Sequence, residues 1–195
     1  MCFCKRCIKC IFSKRNNKIL NIKNDKNQNQ YSFVYYPFRY KIEEQTISKK
    51  RFKNENNLDY IKLSDKIDFI EEKAFENCEN LKFISCLEDN KLEENKIELI
   101  GKIEDKKIVI QKEAFYNCIN LETVIFPACN HLVIEKNAFE NCQTLRTLIL
   151  DFDDSGYLDI HPLAFSGCSK LVIITKSEKI LTYCRNNGVE YFYAK

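Results

Sequence analysis

"AFENCENL" runs from Ala74 to Leu81. The chain repeats the phrase as "AFYNCINL" from Ala114, "AFENCQTL" from Ala138 and "AFSGCSKL" from Ala164. Either the cysteines converge on one site, or the whole phrase is a structural unit. The flanks favour the unit. Ile70, Ile110, Ile134 and Ile160 stand four residues before each Ala, and Ile84, Val124, Leu148 and Ile174 stand three residues after each Leu. A fifth, worn copy lies upstream in "ISKKRFKNENNLDYIKL". There Ile47, Phe52, Leu58, Ile61 and Leu63 keep the pattern, while Arg51 and Glu55 replace Ala and Cys.

The five Phe residues, at positions 52, 75, 115, 139 and 165, are separated by 23, 40, 24 and 26 residues. Three of these spacings fall in the roughly 20–29 residue period of leucine-rich repeats. Leu58–Leu63, Leu121–Phe126 and Leu145–Leu150 fit the L-x-x-L-x-L strand signature of such repeats. One unit of this kind cannot bury its own apolar face, so neighbouring units must stack. The Ile, Ala, Phe, Cys and Leu positions then become ladders along the stack. Arg51 beside Phe52 marks the first repeat as an end of the stack. A short β element is expected before each Ile, as in Lys107–Ile110 and Leu132–Ile134.

The unit I-x-x-x-A-F-x-x-C-x-x-L-x-x-[I/L/V] resembles the BspA-type leucine-rich repeat family over about residues 47–176. "KSEKILTYCRNNGVEYFY" is similar to the terminal segment of that family. The resemblance implies a curved solenoid with binding or adhesion roles rather than catalysis. Two features depart from the family pattern: the first copy lacks Ala and Cys, and the 40-residue spacing holds about 16 extra residues. The expected fold is α/β, a short leucine-rich-repeat solenoid of about five repeats with a C-terminal cap. Residues 1–30 form a basic, Cys-rich disordered tail, and 31–46 an N-terminal capping segment. The repeats occupy 47–176, with an acidic insertion at 87–106 read as a protruding loop or small hairpin. Residues 177–195 form the cap, in which Ser177 starts a helix, Ile180, Leu181 and Cys184 face inward, Asn187-Gly188 stops it, and a closing strand follows.

Composition bounds function. The net charge is +3, too small to indicate nucleic acid. Residues 1–24 hold seven Lys or Arg and no acid, so the remaining residues carry a formal −4. No run has the apolar length of a signal peptide or a membrane span. Eleven cysteines would suit a disulfide framework in a short secreted chain. Here four crowd into "MCFCKRCIKC" and four share one repeat position, which suits a reducing compartment better.

Cys78, Cys118, Cys142 and Cys168 form a ladder and do not converge, whereas a zinc ion needs four ligands around one point. Packing as small apolar groups is their expected role. Three readings fit Cys2, Cys4, Cys7 and Cys10 among Lys5, Arg6 and Lys9: S-acylation beside a polybasic patch, a zinc cluster, or a tail with no role. "DFDDSG" at Asp151 matches the start of a calcium loop, but the twelfth position is Pro162 where Glu belongs. A polar turn between repeats is the expectation. His131 and His161 lack a nucleophile or carboxylate at a motif spacing, and no phosphate loop, G-x-S-x-G or H-E-x-x-H occurs. An enzyme, a metal and a cofactor are therefore not expected.

The strand residues flanking each inner aliphatic are the remaining candidates. They form two lines: Tyr60, Phe83, Thr123, Thr147 and Ile173, then Lys62, Ser85, Ile125, Ile149 and Thr175. Five of these ten are aromatic or aliphatic, and exposed apolar patches mark partner sites. A non-catalytic protein-interaction module follows, cytoplasmic or held at a membrane by its tail, with a protein partner and no nucleic acid. The competing reading, implied by the resemblance, is a surface-exposed adhesin binding host or extracellular-matrix proteins.

Overall fold

The computed structural model describes residues 40–86 and 105–194. The elements are β1 (Tyr40–Ile42), β2 (Thr46–Ile47), β3 (Tyr60–Leu63), β4 (Phe69–Ile70), β5 (Phe83–Ser85), β6 (Lys107–Ile110) and β7 (Thr123–Ile125). They continue with β8 (Cys129–Ile134), β9 (Thr147–Ile149), β10 (Phe152–Ile160), β11 (Val172–Thr175), α1 (Glu178–Asn187) and β12 (Glu190–Tyr193). Two parallel sheets result, one ordered β1-β3-β5-β7-β9-β11-β12 and the other β10-β8-β6-β4-β2. The chain alternates between them. Each repeat therefore supplies one strand to each sheet, and the expected solenoid with its C-terminal helix and strand is what forms.

The phrase between the two sheets is a run of tight turns. Within it, Ala74 N donates to Glu71 O at 3.1 Å and Cys78 N to Phe75 O at 3.1 Å. Other amides of the run bind the next turn of the stack. Phe52 N donates to Ala74 O, Phe75 N to Ala114 O, Phe115 N to Ala138 O and Phe139 N to Ala164 O, each at 2.8 Å. The backbone polar groups are thus satisfied without a helix. The residue before each Cys adopts the left-handed region: Asn77 (φ 58°), Asn117 (φ 60°), Asn141 (φ 62°) and Gly167 (φ 80°). Asn and Gly are the residues that tolerate it. The phrase is therefore better written A-F-x-[N/G]-C. The Asn side chains also form a ladder, with Asn77 Nδ2 donating to Asn54 Oδ1 at 2.9 Å and Asn117 Nδ2 to Asn77 Oδ1 at 3.1 Å.

The Phe rings stack along the axis. Successive centroids from Phe52 through Phe75, Phe115 and Phe139 to Phe165 are 5.2, 5.1, 4.9 and 5.4 Å apart. Phe75, Phe115 and Phe139 are fully buried. Arg51 lies over the Phe52 ring at 5.1 Å, closing one end. Tyr183 of α1 meets Phe165 edge-on at 6.3 Å, closing the other. The turns at Phe75 and Phe115 are direct neighbours, so the extra residues in the 40-residue spacing add no turn. The protruding loop or hairpin read at 87–106 lies largely outside the described residues, as do residues 1–39. At its return, Lys106 Nζ donates to Ile67 O at 2.7 Å and pairs with Asp68 at 2.6 Å.

The cap follows the sequence reading. Ser177 Oγ accepts from Ile180 N at 3.1 Å, Ile180, Leu181 and Cys184 are buried, and Gly188 ends α1 at φ 66°. "DFDDSG" differs from the expected turn. All of it but Asp151 belongs to β10, whose register against β8 shifts between Phe152 and Tyr157. The surplus residues bulge outward, and a Cβ on Gly156 would lie 1.7 Å from Asn130 O. The bulge aims Asp154 at the start of α1, where its carboxylate accepts from Ser177 Oγ and, at 2.8 Å, from Glu178 N.

Candidate functional site: the outer face of the seven-stranded sheet

Parallel register decides which side each strand residue takes. Ile61, Ile84, Val124, Leu148 and Ile173 are partners in one row across β3, β5, β7, β9 and β11. All five belong to the central core cluster. The flanking rows face away from it, because successive strand side chains alternate. One row is Tyr60, Phe83, Thr123, Thr147 and Val172. The other is Lys62, Ser85, Ile125, Ile149 and Ile174.

The first four members of each line are those expected from the sequence. The fifth members are corrected: Ile173 and Thr175 point into the core, and Val172 and Ile174 take their places. The cause is a connection one residue shorter. In earlier repeats two successive amides converge on one carbonyl, as Glu122 N and Thr123 N do on Lys82 O, and Arg146 N and Thr147 N on Glu122 O. After Leu171, Val172 N alone takes Arg146 O at 2.9 Å. The strand starts one residue early, which flips every side chain. This places Ile173 against the other core rows and lets Thr175 Oγ1 accept from Ser177 N at 3.0 Å, at the mouth of the cap.

Most of the outward side chains are buried, while Lys62, Val172 and Ile174 are half-buried. Phe83 is 8% exposed, Ile125 3% and Ile149 2%. None of the three belongs to the core cluster, and neither does Tyr60. They form a second buried apolar set, on the far side of the sheet. The sequence expectation of an exposed patch is corrected here: the side is as expected, but these positions are covered.

The repeat cysteines are a ladder. Each Sγ donates to the Phe carbonyl of the preceding turn: Cys78 to Phe52 O at 2.9 Å, Cys118 to Phe75 O and Cys142 to Phe115 O at 3.1 Å, and Cys168 to Phe139 O at 3.0 Å. Burial pushes the Cys78 thiol up to about 12 and holds Cys118 and Cys142 well above the usual thiol range. Such thiols stay protonated, which suits neither a nucleophile nor a metal ligand. The described cysteines are all free. Among the described residues no group of three or more His, Cys, Asp or Glu stands close enough to hold a metal ion. The two histidines serve locally. His131 stacks on Tyr157 at 4.9 Å, and His161 Nδ1 accepts from Leu163 N at 3.0 Å. A groove beside α1, lined by Gly156, Tyr157, Leu158, Glu178, Lys179 and Thr182, is crossed by Lys179 Nζ donating to Gly156 O at 2.8 Å. Cys2, Cys4, Cys7 and Cys10 lie outside the described residues.

Two parallel sheets joined by an A-F-x-[N/G]-C turn, one turn per repeat, are the geometry of a leucine-rich-repeat stack. A family model for the BspA type leucine rich repeat region, of six copies, matches residues 45–97 and 94–187. The chain belongs to this family. No curated protein matches it in sequence. Within the BspA-type fold the ladders of Ile, Ala, Phe, Cys and Leu are scaffold.

Proposed function

We propose that this BspA-type chain is a non-catalytic protein-interaction module whose contact surface is the outer face of β3, β5, β7 and β9. One observation carries the reading: Phe83 in one outward row, and the register partners Ile125 and Ile149 in the other, share that face yet stand apart from the core cluster. Large apolar side chains that the scaffold does not use for its own core suit an extended apolar protein segment laid across the strands. The test is capture of partners by the full chain and by the variants Ile125→Asp and Ile149→Asp, with far-UV circular dichroism as the fold control. Capture should be lost while the spectrum persists. Capture that survives both changes removes this face as the site.

The tail extends the proposal. Acylation at Cys2, Cys4, Cys7 or Cys10, beside Lys5, Arg6 and Lys9, would hold the module at a membrane surface through two combined signals. Cell fractionation of the wild type against a variant with all four changed to Ser tests it. Release of the variant from membranes supports tethering, and identical partitioning rejects it. Protease sensitivity on intact cells would instead support the adhesin reading.

A further inference from the structure

We propose that β12 (Glu190–Tyr193) is a docking edge for a second copy of this chain, joined antiparallel about a two-fold axis at Phe192. The inference goes beyond the partner surface named above and needs no external protein.

Three observations carry it. The first is an open ladder. β12 ends the order of the seven-stranded sheet, and among the described strands it pairs with β11 alone. Ala194 N donates to Thr175 O at 2.9 Å. Backbone groups of alternate strand residues point to opposite sides, so Phe192, like Ala194, bonds to β11. Tyr191 and Tyr193 turn their N–H and C=O groups the other way. Both residues are 41% exposed and Glu190 is exposed as well, so this edge lies in solvent.

The second is the contrast with the other sheet. An open edge is a template for another strand, and proteins blunt such edges with short strands, charges, Pro or bulges. The edge strand β10 is blunted in several ways. Its register shifts, it carries Asp153, Asp154 and Asp159, and Lys179 Nζ caps Gly156 O at 2.8 Å. At the opposite edge, β2 is two residues long. β12 has no Pro, keeps unbroken register with β11 and carries Glu190 as its one charge.

The third is that the edge matches itself. An antiparallel partner must offer outward groups at the same spacing. With Phe192 facing its own counterpart, Tyr191 of one copy faces Tyr193 of the other, and each such pair exchanges both N–H···O bonds. Aromatic side chains then oppose aromatic side chains, a favourable cross-strand pairing. Glu190 falls opposite Ala194, so no like charges meet. A contact of this isologous kind closes at two copies. Phe192 is in register with Ile174, which lies on the outer face of the sheet. The dimer therefore joins the two outer faces into one.

Sedimentation equilibrium of the full chain over a concentration series tests it. The wild type should show a monomer–dimer equilibrium. Tyr193→Pro deletes an outward N–H and leaves the β11 bonds of Phe192 and Ala194 in place, an edge position that accepts Pro. It should weaken dimerisation at least about tenfold with an unchanged far-UV circular dichroism spectrum. Amide hydrogen exchange on the wild type reads the edge itself and depends on no variant. The Tyr191 and Tyr193 amides should exchange fast in dilute solution and slow several-fold as concentration rises, while those of Phe192 and Ala194 stay protected throughout. A monomer at every concentration overturns the proposal, as does a dimer that Tyr193→Pro leaves intact. Protection of Tyr191 and Tyr193 that does not change with concentration overturns it too. Neither readout uses an external partner, so this proposal and the interaction reading can fail separately.

Discussion

Phe115→Ala tests whether the repeated phrase specifies the stack. Phe115 is fully buried, and its ring is sandwiched between Phe75 at 5.1 Å and Phe139 at 4.9 Å. Removing a buried Phe side chain costs about 3–5 kcal/mol. Both faces of this ring are stacked, so the upper half of that range, about 4 kcal/mol, is expected. Phe52 is the internal comparison. It is partly exposed, has one stacked neighbour at 5.2 Å, and carries Arg51 on its other side at 5.1 Å. Phe52→Ala should cost about 1–2 kcal/mol, roughly a single buried apolar side chain left half in water. Urea unfolding followed by circular dichroism measures both. A domain of this kind is stable by about 5–15 kcal/mol, so Phe115→Ala should move the midpoint far or leave the chain unfolded at rest. If Phe115→Ala costs no more than Phe52→Ala, or less than about 2 kcal/mol, the rings are not a continuous core and the argument from the phrase is wrong.

Other outcomes follow from particular contacts. Gly156→Ala should cost at least about 1–3 kcal/mol in thermal unfolding, because its Cβ would sit 1.7 Å from a backbone oxygen that cannot step aside. Glu113 is held below its usual 4.5 chiefly by the hydrogen bond from Lys73, at 2.8 Å, with Lys112 adding to it. The lowered folded value means its contribution is present above pH 4.5 and fades as pH falls through the lower folded value. Glu113→Gln should therefore flatten the acid limb of a stability-against-pH curve and leave the curve unchanged in shape above pH 6. Native alkylation with iodoacetamide should leave Cys78, Cys118 and Cys142 unmodified until denaturant is added. Early labelling at any of them would mean that the ladder opens in the folded chain.

Much of this was legible in the sequence, and the exceptions have physical causes. The phrase, its flanking Ile and its strand signature fixed the parallel stack, because stacking demands one identical contact per turn. The cap was legible from Ser177 and Gly188 for the same local reasons that set any helix end. The left-handed Asn or Gly before each Cys is written in the sequence as "NC" and "GC", but its need for positive φ shows only in the turn geometry. The β11 register was not legible. "LVIIT" offers aliphatic residues at every position, so period-2 alternation cannot say which of Ile173 and Ile174 faces in. Only the single amide-to-carbonyl contact after Leu171 decides it. The "DFDDSG" bulge was hidden because an acidic, Gly-containing stretch looks like a turn, and its purpose, aiming Asp154 at α1, depends on residues 23 and 24 positions away. The side taken by Ile125 and Ile149 was read correctly. Their burial was not, because alternation gives the face of a strand and says nothing of what lies over it.

The central claim is that the outer face of the seven-stranded sheet is where this BspA-type chain meets a protein partner. Its most direct test is the affinity of one purified, captured partner for four full-length chains: wild type, Ile125→Asp, Ile149→Asp and Val133→Asp. Val133 pairs with Val109 on the five-stranded sheet and faces away from the core there, so it carries the same charge change to the other side. The account predicts at least a tenfold loss for each of the two face variants and an unchanged affinity for Val133→Asp. Equal affinity across all four, or a loss confined to Val133→Asp, would contradict it.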